Sequence, residues 1–316
     1  KALEEAERKA KEALAKQKEE EKKRKEAEEK AGKSEELRLK ALARMEQTRK
    51  EREEKARREA EAISPLQALR NKFNSGKKLN ATEKQAMIDL THEDIHEKLK
   101  TLKTFKKIDE DYVRNGIYKG KGKSDIWSKA DRNTYDDYVQ TSDSFRINQH
   151  LYEGKYGTNK RLDETINYIT ELISRTTLKE DTQLVRLSGV QYLNTVYKDV
   201  GIKNPFGNKD IMDFELSEAA DMLNAALAGK STVHQSFTSV SYNVDKNVFT
   251  SRPILMEIYA EKGVEALYTV NYTESEVVLQ RGTEFEIIGF EPHVSKDMWG
   301  DEQQQLKMIV RAKAKK

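Results

Sequence analysis

The first 62 residues cannot supply a hydrophobic core. They are Glu, Lys, Arg and Ala with few large apolar side chains, they hold no proline, and Gly32 is their only glycine. Good helix formers dominate. Glu precedes a cation at i+4 repeatedly, as in Glu4 and Arg8, Glu5 and Lys9, Glu12 and Lys16, Glu20 and Arg24, and Glu26 and Lys30. Each such pair supports an isolated helix by about 0.2–0.5 kcal/mol. A coiled coil needs apolar a and d positions over several heptads. Leu3, Ala6, Ala10 and Ala13 begin that pattern, and Gln17, Glu20 and Arg24 end it. Residues 1–62 therefore read as a charged helical extension: a solvated single helix, a partly disordered one, or a weak coiled coil. Any globular core must come from the remaining chain.

Composition narrows the function. Charged residues make up 36% of the 316, yet the formal net charge is only +3, which gives no bulk electrostatic case for nucleic acid. With no cysteine, disulfides, thiol nucleophiles and Cys-based zinc sites are excluded. No apolar run approaches the roughly 18 residues of a membrane span, and no signal peptide is read. The chain starts at Lys1 without Met, as expected of a fragment of a longer chain.

Ser64-Pro65 punctuates the chain. Residues 63–109 read as a small helical linker region. It holds an amphipathic helix over residues 66–73, a helix capped at Asn80 or Thr82 and running through Leu90, and a further helix capped at Thr91 and running to about Phe105. Residues 160–175 place Leu162, Ile166, Ile169 and Ile173 at helical spacing, which makes a core face. Residues 215–228 form another helix capped around Ser217. Strands dominate after it. Helices first and strands later imply an α+β class with an antiparallel sheet core.

The most informative late stretch is Tyr272 to Ile287. Glu274 and Glu276 are followed by Val277-Val278-Leu279, a turn at Arg281-Gly282, and an alternating run from Phe285 to Ile288. That is strand, turn, strand. Residues i and i+2 of a strand share a face, so both glutamates are expected to point one way. Two like charges that close are costly unless a cation or a transition state uses them. Upstream lie Gln183-Leu184-Val185-Arg186-Leu187-Ser188-Gly189-Val190-Gln191, then Ser236-Phe237-Thr238-Ser239-Val240-Ser241, then Phe249-Thr250-Ser251-Arg252-Pro253.

In this order, the motifs resemble the mono-ADP-ribosyltransferase toxin family, in its Arg-Ser-Glu branch with a Glu-x-Glu strand, and within it the enzymatic components of binary toxins. The resemblance covers roughly residues 110–313, and residues 110–316 are the expected catalytic domain. It implies two packed, mainly antiparallel sheets flanked by helices, with NAD as substrate and no metal. Residue by residue, it implies that Arg186 and Arg252 hold the pyrophosphate by bidentate hydrogen bonds, that Gln191, Ser241 and Phe249 lie in the NAD cleft, and that Ser239 orients Glu276. It further implies that Glu276 stabilises charge on the ribose, that Glu274 holds and deprotonates an arginine of a target protein, and that Tyr272 contacts that target. Tyr138 to Ser142 and Phe145 to Asn148 loosely resemble helices beside the cleft. Val240 and Leu187 depart from the family's Thr and second Arg. By analogy alone the target is actin, and the chain is a secreted or injected effector, toxin or phage-borne.

Other readings compete. The two glutamates alone could be a charged strand edge. The same fold can act as an NAD glycohydrolase, or the chain can be a structural coiled-coil protein with an inactive C-terminal domain. His92-Glu93-Asp94-Ile95-His96 is a literal H-E-x-x-H, the pattern of zinc metalloproteases; here it sits in a charged helix start with no third ligand spaced to join it. Gly122-Lys123-Ser124 ends like a phosphate-binding loop, but Ile117 stands where that loop needs its first glycine.

Overall fold

A computed structural model describes residues 64–113, 143–243, 251–269, 275–296 and 300–315, with Glu21, Lys40, Leu42, residues 44–52 and Tyr138. The chain divides into two units, Lys1–Ser64 and Pro65–Lys316. In the first, residues 44–52 are helical and exposed. Lys50 and Glu46 pair at 3.2 Å across one helical turn, and Met45 is exposed.

The second unit opens with α1 (Pro65–Asn74) and α2 (Ala81–Thr101). Asn80 caps α2, its side chain accepting from the Glu83 amide while Glu83 reaches back to the Asn80 amide. The helix then runs unbroken through Thr91, where the sequence suggested a second start. No glycine or proline interrupts it, and Thr91 is buried in its middle rather than exposed as a cap. The region read as a linker therefore presents apolar side chains to the sheet. Leu102 just past α2 packs with Ile288 and Ile309, and Ile95 and Leu99 of α2 flank them.

Next come α3 (Asp143–Tyr152) and α4 (Lys160–Ser174). Asn159 caps α4 by accepting from the Leu162 amide, and Ile166, Ile169 and Ile173 are fully buried, as their spacing requires. After β1 (Thr182–Ser188), α5 (Gln191–Asp199) and α6 (Leu216–Leu227), the remaining elements are strands: β2 (Ser231–His234), β3 (Thr238–Ser241), β4 (Ile254–Ala260), β5 (Ala266–Tyr268), β6 (Glu276–Leu279), β7 (Thr283–Lys296) and β8 (Glu302–Lys313). Glu215, not Ser217, occupies the N-cap of α6, and it makes no side-chain cap bond.

The α+β class follows. The strands form one ladder in the order β2-β7-β8-β4-β1-β3-β6-β5, antiparallel except for β4 with β8. A single register pair, Val185 with Ser241, joins β1 to β3. The ladder thus has a five-stranded half and a three-stranded half hinged at that pair. Alternate residues of both halves, among them Leu184, Val240, Met256, Val277, Phe285 and Val310, fill one core together with α5 and α6. A smaller core lies on the other face of the three-stranded half, where Val278, Leu267 and Phe237 meet Ile147 and Leu151 of α3 and the buried face of α4.

Two glycines matter to this arrangement. Gly282, at φ 79°, lets the chain leave β6 and enter β7 in the other half, so this strand–turn–strand is a crossing between halves and not a hairpin. Gly289 sits at a bulge between β7 and β8 where a Cβ would lie 2.5 Å from Ile95 Cδ1, so α2 approaches the sheet closely there.

Candidate active site

The site forms at the hinge between the halves. β1 carries Leu184 into the core and then turns polar on the same face, with Arg186 and Ser188 two and four residues on. Arg186 Nε donates to Ser188 Oγ at 3.1 Å, and Nη1 donates to the main-chain oxygen of Ser239 at 2.7 Å. This guanidinium therefore bridges the last strand of one half to the first strand of the other.

Ser239 Oγ in turn donates to Glu276 Oε1 at 2.6 Å. The register pairs Glu276 with Ser241, so Ser239 is its diagonal neighbour on the same face, within reach of a long side chain. Ser241, directly opposite, points its hydroxyl elsewhere, accepting from the Asn243 amide at 3.2 Å. Glu276 is 6% exposed, and its own carbonyl accepts from the Thr269 amide and hydroxyl at 3.1 and 3.3 Å. The residue is thus held at its main chain by Thr269 and at its carboxylate by Ser239.

The strand begins at Glu276. Ser275 takes φ 51°, a left-handed conformation unusual for a residue with a Cβ, while its carbonyl accepts from Tyr242 N at 2.9 Å. The regular alternation of β6 is described from Glu276 onward. Glu274, Tyr272 and Phe249 lie outside the described residues, as do the loop around Lys121 and most of residues 1–62.

Beside this row lies a cleft of about 480 Å³. Arg186, Ser188 and Gly189 form one end with Arg252. Phe145, Asn148 and Tyr152 of α3 line one wall, and Gln191, Tyr192 and Thr195 of α5 line the other. Arg252 Nη1 donates to the Leu187 carbonyl at 2.9 Å, and Gln305 holds the Arg252 carbonyl at 2.8 Å. Burial, and then the nearby Arg186 charge, push the Arg252 pKa down. Two guanidinium groups brought into one cleft make an anion site, and their fork geometry suits phosphate oxygens. Two buried polar atoms of the walls, Asn148 Oδ1 and Tyr192 Oη, have no hydrogen-bond partner among the described residues. Each is the kind of group a polar ligand would satisfy.

Arg186, Ser239 and Glu276 thus share one hydrogen-bonded row, and Arg252 and Gln191 share its cleft, as far as the expected site is described. Three contributors carried no motif in the sequence. Tyr152 and Tyr192 line the cleft, and His234 is buried against both, its ring centroid 5.7 and 5.2 Å from theirs. Tyr138 stands near the row. Burial pushes its hydroxyl up to about 12, Asn148 donates to it at 3.4 Å, and the Glu276 charge adds to the rise. The H-E-x-x-H residues lie on α2, where His92 Nε2 is 2.8 Å from Asp221 Oδ1. Among the described residues no group of three or more His, Cys, Asp or Glu side chains is placed to hold a metal ion.

The family model for the ADP-ribosyltransferase exoenzyme matches residues 91–316. The chain belongs to this family. The ADP-ribosyltransferase exoenzyme domain begins within α2 and takes in every strand of the ladder. Among solved structures, the exoenzyme fold is similar to Plx2a, an ADP-ribosyltransferase toxin from Paenibacillus larvae. That match has 20% identity and a TM-score of 0.50, over 65% of this chain and 97% of that one. The enzymatic component C2-I of the C2-toxin from Clostridium botulinum matches at 16% identity and a TM-score of 0.48, over 64% of this chain and 47% of its own. The ADP-ribosylating toxin BECa of a binary enterotoxin of C. perfringens, solved with NADH, matches at 18% and 0.47, over 64% and 46%. This chain therefore spans just under half the length of those two relatives. No curated protein matches it in sequence.

Proposed function

We propose that this exoenzyme domain transfers ADP-ribose from NAD to an arginine of a target protein, as an effector delivered into another cell. The observation that carries the reading is the hydrogen bond from Ser239 to Glu276 on a carboxylate buried beside a two-arginine cleft. NAD fits the donor set. Arg186 and Arg252 suit its two phosphates, and Asn148 Oδ1 and Tyr192 Oη offer unmet polar groups to the rest of the molecule.

Glu276 acts at the ribose. As the bond to nicotinamide breaks, positive charge grows on the sugar, and a carboxylate already held in place stabilises it without reorganising. Ser239 supplies that hold, and Arg186 ties Ser239's strand to the phosphate end of the cleft. Glu274 receives the proton from the incoming guanidinium as its nitrogen bonds to the ribose carbon and nicotinamide departs. Arginine as acceptor is supported by Glu at position 274 in the Glu-x-Glu pattern.

The test measures nicotinamide release and protein labelling separately. Glu276→Gln is expected to abolish both, on the order of 10²–10³ in rate for a single charge-stabilising group. Glu274→Gln should stop labelling of arginine and leave much of the NAD hydrolysis. Labelling of arginine by Glu274→Gln at the parent rate refutes the assignment of roles. Nicotinamide release without labelling of any protein by the parent chain points instead to a glycohydrolase.

A further inference from the structure

His234 closes β2 and is 1% exposed. Its ring is packed by the edges of Tyr152, Tyr192 and Phe285. Both nitrogens are engaged. Nδ1 lies 2.5 Å from Thr238 Oγ1, and Nε2 lies 3.3 Å from Tyr152 Oη. Burial, with the Arg186 charge adding, pushes the imidazole down to about 3, so it is neutral. A neutral imidazole donates through one nitrogen and accepts through the other, and each hydroxyl partner can do either. The link is therefore complete without a proton from solvent.

Its two ends belong to different parts of the site. Tyr152 is on α3, whose residues Phe145 and Asn148 wall the cleft. Thr238 opens β3, directly before Ser239. The α3 helix has no strand ladder to hold it. Among the described residues it also rests on the packing of Ile147 and Leu151 against α4 and against Phe237, Leu267 and Val278 of the three-stranded half, and on His150 with Asp163, 3.2 Å apart. Glu276, by contrast, is fixed by the main-chain β3–β6 ladder and by the Ser239 hydroxyl, neither of which uses the Thr238 hydroxyl.

We propose that His234 is a positioning residue that holds the α3 wall of the cleft at its distance from β3, and so sets affinity for the dinucleotide rather than the rate of bond breaking. This rests on the reading of the cleft as an NAD site.

The test uses the full chain and the variants His234→Phe, Tyr152→Phe and their combination, with NAD titration, the kinetics of nicotinamide release and thermal melting for each. His234→Phe keeps the ring packing and removes the link. It is expected to raise Kd and KM for NAD about five- to tenfold, the loss of one hydrogen bond, with kcat within about twofold of the parent. Tyr152→Phe should cost less in the His234→Phe background than in the parent, because both changes cut one connection. His234→Gln, with a donor and acceptor near the Nε2 position, should recover part of the loss. Unchanged Kd and KM, or a fall in kcat alone that tracks lost folded protein, would show an ordinary core histidine and overturn the proposal. Hydrogen exchange supplies an arm that needs no NAD. Amides of α3 should exchange faster in His234→Phe while those of α4 do not, and equal exchange overturns the proposal too. If the parent chain binds no NAD, the proposed function falls and the exchange result alone decides the link.

Discussion

Removing one hydroxyl, that of Ser239, gives the sharpest test of the site geometry. Ser239 Oγ is 2.6 Å from Glu276 Oε1, a short hydrogen bond to a carboxylate in a residue only 6% exposed. Hydrogen bonds to charged groups contribute about 1.5–3 kcal/mol. If that energy serves to hold the carboxylate where positive charge develops, Ser239→Ala should slow nicotinamide release at saturating NAD by about 10- to 150-fold. NAD affinity should change little, because the guanidinium groups and the cleft walls are untouched; Arg186 bonds the Ser239 main-chain oxygen, which alanine keeps. Ser241→Ala is the matched comparison. Ser241 is opposite Glu276 in register, yet its hydroxyl serves Asn243. Its loss should leave the rate within about threefold, the effect of at most half a kilocalorie or so. The assay is nicotinamide release under saturating NAD for both variants, with thermal melts to confirm equal folding. A parent-like rate in Ser239→Ala, or an equal fall in both variants, would refute the diagonal contact as the orienting one.

Three further outcomes are expected. The His234 imidazole has its pKa near 3 in the folded chain and an ordinary value of 6.5, so the unfolded chain takes up the proton first as pH falls; stability is full above pH 6.5 and drains between 6.5 and 3, by about 2 kcal/mol at pH 5. Urea unfolding at pH 7 and pH 5 should show that slope in the parent and a shallower one in His234→Phe; identical slopes would count against a buried neutral histidine. Gly289→Ala places a methyl 2.5 Å from Ile95 Cδ1 and 3.2 Å from Asn224 Oδ1, which accepts from Phe290 N, so thermal melting should report a loss of about 1–3 kcal/mol. A chain starting at Pro65 should keep the melting behaviour of the second unit, whereas one starting at residue 105 uncovers Ile288 and Ile309 and loses about 1.5–3 kcal/mol for each large side chain newly exposed; an equal melting temperature for the two would show that α2 adds no stability.

What could be read in advance was local or ordered along the chain. The face of α4 was legible because Ile166, Ile169 and Ile173 repeat at 3.6-residue spacing and all fall inside. The motif order Arg186, Ser239, Glu276 was legible because each sits on a short strand whose alternation is visible. Signals that depend on the surroundings misled. Thr91 resembles a cap, but α2 continues because its apolar side chains have a sheet to cover, and packing outweighs the local preference.

The sequence by itself determined the α+β class, the charged composition of residues 1–62 and the order of the motifs, because composition, periodicity and motif order are properties of neighbouring residues. Only the tertiary structure decided which serine meets Glu276, since Ser239 and Ser241 share a face and differ only in register across β3 and β6. It alone brought Arg252 beside Arg186, 66 positions apart in the chain, and set His234 between Tyr152 and Thr238. Those contacts come from pairing and packing between distant segments, and a lone histidine or tyrosine carries no local pattern that says which segment it will meet.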